Sequence, residues 1–318
     1  MNRKSTLTLL VTGLLLAAFC AADLLLGGSQ FADAGALVIG KIRLPRMLNA
    51  LLAGAGLAIG GLQMQSIFRN PLADPHIMGV SAGAGLGAAL ATMGAAAGGA
   101  MVSSGIANAG IVSAAFAGAL ACSALILLVS SRTSSTYTLL LFGVMLGFIV
   151  SAAVALLQWG SNAESLKLYY SWAAGSFSNA GWEGAAAIGT ASLAGLLLCL
   201  FNCKGLDLIL FGDEYTRLSG ANVQLIRFLS LASCSLIAGT VTAFCGPLGF
   251  VGIAAPHIVR GLSCTSLHRI LIPGTLLTGA ALAVCADLLS QIGSTPLPAG
   301  SILAIIGIPV ILYILIKK

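Results

Sequence analysis

Fixed charge is scarce along this chain. Of 318 residues, 15 are Lys or Arg and 9 are Asp or Glu, so 24 charges make up 8% of the sequence. A soluble domain carries about 25%. So few charges cannot coat a water-facing fold of this length. Disorder is excluded too, because it requires low hydrophobicity and high charge, and 58% of these residues are hydrophobic. Aromatic residues are few, at 6%, and the three histidines (76, 257, 268) show no HExxH or other metal-ligand spacing. The eight cysteines (20, 122, 199, 203, 234, 245, 264, 285) form no CxxC pair and read as small apolar packing residues. There is no GxSxG elbow, and no two carboxylates share one apolar segment. The chain therefore offers no catalytic residue, no metal ligand and no cofactor site of its own.

Three chance patterns also fail on chemistry. Gly35-x-x-x-x-Gly40-Lys41 is followed by Ile42, where a phosphate-binding loop needs a hydroxyl for magnesium. Gly83-x-Gly85-x-x-Ala88 lacks the preceding strand and the acidic ribose partner of a dinucleotide site. The net charge of +6 is not gathered into a basic face, which argues against nucleic acid.

What is present is a series of long apolar runs. A membrane-spanning helix takes about 20 such residues, and reading the runs against their breakers gives ten segments. They are Leu7–Leu26, Met47–Phe68, Ile77–Met93, Ile106–Val129, Tyr137–Trp159, Gly184–Phe201, Ile226–Phe244, Phe250–Leu262, Ile270–Ile292 and Pro298–Ile316. The eighth, bounded by Gly246-Pro247 and interrupted by Pro256, reads as a short or broken element shielded by its neighbours. Residues 1–318 thus form one all-α integral membrane domain. Asn2-Arg3-Lys4 before an apolar run resembles a secretory signal, but the run continues past Asp23, so an uncleaved first span is expected.

Positive charge orients the segments. With both termini cytoplasmic, Arg3, Lys4, Arg69, Arg132, Lys204, Arg217, Arg227, Arg260, Arg269, Lys317 and Lys318 fall inside. Only Lys41, Arg43, Arg46 and Lys167 fall outside, in line with the positive-inside rule. The cluster Lys41-Ile-Arg43-Leu-Pro-Arg46 breaks that rule. It reads either as snorkelling side chains that anchor the second span or as an external patch for an acidic partner.

Other features are phased to match. Trp159, Trp172 and Trp182 gather with Tyr169, Tyr170 and Phe177 around the external connection between spans five and six, where a short helix around Leu166–Trp172 fits an interfacial belt. Gly56–Gly60, Gly79–Gly83–Gly87 and Gly143–Gly147 recur every four residues, which lets helices pack backbone to backbone. Five plus five spans would invert one half against the other, and Pro75-His76-Ile77 echoes Pro256-His257-Ile258. Asp287 is an acid that sits inside the ninth span. It could bind a proton or sodium ion. As a lone acid with no intramembrane basic partner, it reads instead as lying near the outer end of span nine, hydrated or bonded to Ser290 or Gln291. Between spans six and seven, about residues 206–223, Gly212 and Gly220 bracket Asp213, Glu214, Arg217 and Leu218. A short helix exposing Phe211, Tyr215 and Leu218 there fits a groove on a partner protein.

Several stretches together resemble one permease family. The first is Ile42-Arg43-Leu44-Pro45-Arg46 … Gly60-Gly61-Leu62-Gln63-Met64-Gln65 … Arg69-Asn70-Pro71-Leu72-Ala73-Asp74-Pro75 … Gly79-Val80-Ser81-Ala82-Gly83. Gly249-Phe250-Val251-Gly252 … Pro256-His257-Ile258-Val259-Arg260 … Pro273-Gly274 … Asp287 and Leu297-Pro298 … Gly307-Ile308-Pro309 complete the pattern over nearly the whole chain. It is similar to the FecCD family, the membrane subunits of ABC importers for ferric siderophores, haem and cobalamin. The resemblance implies a type II importer permease of about ten spans, pairing with a second copy of itself in the bacterial inner membrane. It implies two ABC ATPase subunits, which would bind the ATP and magnesium, and an extracytoplasmic substrate-binding protein. It assigns Arg43 and Arg46 to docking of that protein. Gly212, Asp213, Glu214, Arg217, Leu218 and Gly220 would couple to the ATPases, and Thr136, Tyr137, Gly143 and Gly147 would line the translocation path. Gln291 stands where the family often has Arg, and Ser219 where it often has Leu. The expected cargo is an iron chelate, a siderophore or haem complex, with cobalamin as the alternative. From a different class, an ion-coupled secondary transporter using Asp287 is the rival.

Overall fold

The computed structural model describes residues 3–26, 38–94, 104–133, 135–292 and 296–316. Asn2, Gly35, Lys317 and Lys318, used in the readings above, lie outside the described residues. Thirteen α-helices and no strand occur among the described residues. They are α1 (Arg3–Leu26), α2 (Leu44–Phe68), α3 (Val80–Ala89), α4 (Ser104–Arg132), α5 (Thr136–Trp159), α6 (Ala163–Ala173) and α7 (Gly181–Phe201). The remainder are α8 (Cys203–Ile209), α9 (Asp213–Leu218), α10 (Val223–Cys245), α11 (Val251–Ser263), α12 (His268–Ser290) and α13 (Ala299–Ile316).

Seven helical stretches are long and apolar enough to cross a membrane, and Val80–Gly94 and Ala299–Leu312 are shorter apolar ones. With α11, these match the ten segments read from the sequence. The differences lie at the ends. The second span is drawn out by a π-helical turn at Ile39–Arg43, and α3 is preceded by a 3-10 turn at Pro75–Met78. That turn starts at a proline, with Asp74 accepting the backbone N–H of His76 at 2.8 Å. α6 occupies residues 163–173, where a short surface helix was expected.

α2 is the central post and is buried over most of its length. It packs against α7, α10, α11 and α12, while α3 and α4 pair beside α10 and α5 lies outermost on α3. Glycine makes these contacts close. A Cβ on Gly54 would collide with the Gly279 carbonyl of α12, and one on Gly61 with the Gly252 carbonyl of α11. Such backbone approach is how membrane helices gain packing energy without a hydrophobic effect between them.

The echoing histidines meet each other's halves. His76 Nε2 lies 2.7 Å from the Leu248 carbonyl, just before α11, and His257 Nε2 lies 2.8 Å from the Pro71 carbonyl, just before the 3-10 turn. His76 Nδ1 pairs with Ser81 Oγ, and Arg260 donates to Gln65 Oε1. Polar side chains thereby serve backbone freed where α11 and the 3-10 turn interrupt the helical ladder, as lipid requires.

Candidate functional site

At one end of α2, Arg46 and Asp287 form a buried ion pair. Arg46 donates from Nε to both Asp287 oxygens at 2.8 and 3.0 Å and from Nη2 to Ser290 Oγ at 2.7 Å. The Asp287 side chain is 0% exposed and that of Arg46 13%. The expectation of a lone acid is corrected here, because its basic partner lies 241 positions away in sequence on another helix. Ser290 Oγ donates to the Asp287 backbone carbonyl at 2.7 Å, and it and Gln291 Nε2 each lie 3.4 Å from a carboxylate oxygen. Gln291 turns to a second buried acid and donates to Asp23 Oδ1 at 2.7 Å. Arg43 donates to the Leu24 carbonyl at 2.9 Å and is half-buried, while Lys41 is exposed. Charge in low dielectric needs a partner and further hydrogen bonds, and this cluster supplies both.

At the other end of α2, α9 is a six-residue helix set off by two glycines in left-handed backbone, Gly212 (φ 107°) and Gly220 (φ 79°). Thr216 is fully buried and ties α9 down by donating to the Gly212 carbonyl at 2.7 Å and the Leu208 carbonyl at 3.1 Å. Asp213 faces inward and accepts from Arg227 Nη2 of α10 at 2.5 Å, with Arg69 Nη2 3.8 Å from its other oxygen. Glu214 and Arg217 are exposed, and Phe211, Tyr215 and Leu218 present an apolar surface to solvent. The Phe211 and Tyr215 rings lie 5.2 Å apart.

Thr136 opens α5 and accepts a hydrogen bond from Arg227. Two positions singled out for separate roles, Thr136 and Asp213, therefore share one guanidinium. Tyr137 is largely exposed, and so are Met145, Phe148, Ile149, Leu156 and Trp159, so α5 carries an uncovered apolar face. Its other face turns to α3, where Gly79 (φ 74°) packs against Gly143 and Gly147.

One further cluster was not visible in the sequence. His268 sits between Ser66 Oγ, 2.7 Å from Nε2, and Asp207 Oδ1, 2.6 Å from Nδ1. This is the order of a hydrolytic triad, but Ser66 and His268 are both 0% exposed and no substrate can reach the hydroxyl. The chain of bonds instead ties α2, α8 and α12 together. Burial works to raise the Asp207 carboxyl. The hydrogen bonds from the His268 ring and backbone, with the charge of that ring, outweigh it and hold the carboxyl below its usual range.

A glycine-packed bundle of long apolar helices, with an apolar-faced short helix at one end and ion pairs at both, is the architecture of a multi-pass membrane protein. Comparison with known proteins makes the assignment specific. Residues 5–317 match the model of the FecCD transport family, and the chain belongs to that family. It is 34% identical to a vitamin B12 import system permease protein, BtuC, of Escherichia coli O127:H6, over 98% of this chain and 94% of that one. It is also 34% identical to the cobalamin import system permease protein BtuC of Halobacterium salinarum, over 88% of this chain and 73% of that one. A solved structure of an ABC transporter of the metal-chelate type, in an inward-facing conformation, superposes with a TM-score of 0.86 at 30% identity, covering 98% of this chain and 99% of that chain. The PsaBC complex of Streptococcus pneumoniae shares the fold at 14% identity and a TM-score of 0.51. The chain is a multi-pass membrane protein and an ABC importer permease.

Proposed function

We propose that this permease carries a metal chelate across the bacterial inner membrane, as one of two copies flanking the path, powered by two ATPase subunits that bind α9. The observation that carries the reading is the apolar outer surface of α9, with Leu218 88% and Phe211 73% exposed on a cytoplasmic-type connection. A helix-in-groove contact needs such anchors. The uncovered face of α5 would meet the second copy across the path. A loaded binding protein would dock over Arg43 and Arg46, the latter held in place by Asp287. Closure of the ATPases on α9 would then shift the bundle between outward- and inward-open packings, a change of population between two discrete states.

The cargo in the first reading is an iron–siderophore or haem complex. Cobalamin is the second, and the identity to two permeases named for vitamin B12 and cobalamin favours it. Proteoliposomes carrying the chain with its ATPase and binding protein are expected to take up one of three labelled probes, a ferric siderophore, haemin or cyanocobalamin, only when ATP is supplied. Uptake by the chain alone under a proton or sodium gradient would refute the reading in favour of an ion-coupled carrier using Asp287.

A further inference from the structure

The inner side of α9 makes its charged contact with the bundle through a buried cation. Arg227 is the fifth residue of α10, and its side chain is 3% exposed. Its Nη2 reaches Asp213 Oδ2 at 2.5 Å and also donates to Thr136 Oγ1, on the first residue of α5. Arg69, the left-handed C-cap of α2, completes the surroundings of Asp213 from a third helix. Ser135, which caps α5 by accepting the backbone N–H of Thr138 at 3.2 Å, immediately precedes the contact. The ends of α2, α5, α9 and α10 thus converge on one carboxylate and one guanidinium.

We propose that Arg227 is the positioning residue that passes a displacement of α9 to the start of α5. The proposal rests on the importer reading above. The base of the Arg227 side chain is fixed in α10, which is buried through most of its length. α9 is flanked by Gly212 and Gly220 and is tied to the Leu208 carbonyl of α8 through Thr216, so a push on it is borne by the short α8–α9 unit. When α9 is pushed, Asp213 either leaves the guanidinium or draws it away from Thr136, and α5 feels both outcomes. A planar guanidinium directs several N–H donors at fixed angles, whereas an ammonium is a point charge on a flexible stem. Lys at this position keeps the buried charge opposite Asp213 but loses the geometry that holds two acceptors at once. The sequence places Arg227 only among the cytoplasmic positive charges, because neither partner is near it along the chain.

The test uses the full chain assembled with its ATPase and binding protein. Three quantities are read: ATP hydrolysis, chelate uptake per ATP, and ATP-dependent hydrogen exchange in the first turns of α5. Arg227→Lys is expected to assemble and hydrolyse ATP as the unaltered complex does. Its uptake per ATP should fall by about tenfold, within the usual span of coupling between sites, and the ATP-dependent change in exchange should vanish. Thr136→Val, which removes the acceptor and keeps the shape, should abolish the same exchange response and carries the test if Arg227→Lys does not assemble. An exchange response that persists in either assembled variant overturns the proposal, as does a parallel loss of hydrolysis and uptake with that response intact. A wild-type complex that shows no ATP-driven uptake overturns the importer reading itself, which separates the two failures.

Discussion

Replacing Asp287 by Asn removes a charge from the most buried ion pair among the described residues, and its cost follows from the geometry. Taking one partner from a buried pair costs about 3–5 kcal/mol, because the other charge is left in low dielectric. For Asp287→Asn the cost should sit near 3 kcal/mol, the lower end of that range. The amide oxygen still accepts one N–H from Arg46, and Ser290 Oγ keeps its 2.7 Å bond to Nη2. Arg46→Met should cost about 4 kcal/mol, since a carboxylate that is 0% exposed then keeps only a hydroxyl and an amide nearby. The pair Arg46→Met with Asp287→Leu should come back to within about 1 kcal/mol of the unaltered protein, as apolar replacement of a whole pair does. The assay is unfolding of the purified chain in mixed micelles with increasing dodecyl sulfate, read by helical content. Additive single costs in the double variant would refute the reasoning, and so would single costs below about 1 kcal/mol.

Gly54→Leu drives a side chain into the Gly279 carbonyl of α12 and should abolish the folded state, measured as loss of monodisperse protein in detergent. Gly147→Ala meets no atom within 4 Å and should leave yield unchanged, which makes it the control. Asp207 is held below its usual range in the folded chain, so it contributes stability that is present above about pH 4 and lost as pH falls through the folded value. Asp207→Asn should flatten the acid limb of thermal stability between about pH 5 and pH 3; an unchanged limb would show that the His268 contact contributes nothing.

The architecture was legible where it depends on neighbours along the chain. Apolar run length marked the ten segments, and Gly212 and Gly220 marked α9. The eighth segment is short, as proline and glycine indicated, but α11 runs unbroken through Pro256. The pairings were not legible, because they join residues far apart. Arg46 meets Asp287 and Arg227 meets Thr136 only after the helices cross, and no periodicity encodes a crossing. The same holds for Ser66, His268 and Asp207. Each looks unremarkable in its own segment, and only their contact 202 and 61 positions apart makes a brace. The reading of Asp287 failed for a specific reason: it weighed partners on its own helix and not the basic cluster at the start of α2.

The meeting of Gly79 with Gly143 and Gly147 has a mechanical consequence. A Cβ at Gly79 would stand 3.2 Å from the Gly143 carbonyl and 3.4 Å from the Gly147 amide, with the Leu146 side chain next nearest at 3.7 Å. The start of α3 therefore rests on the middle of α5 backbone against backbone. A side chain added at Gly79 would act as a wedge, prising α5 from the rest of the bundle and straining a backbone already at positive φ.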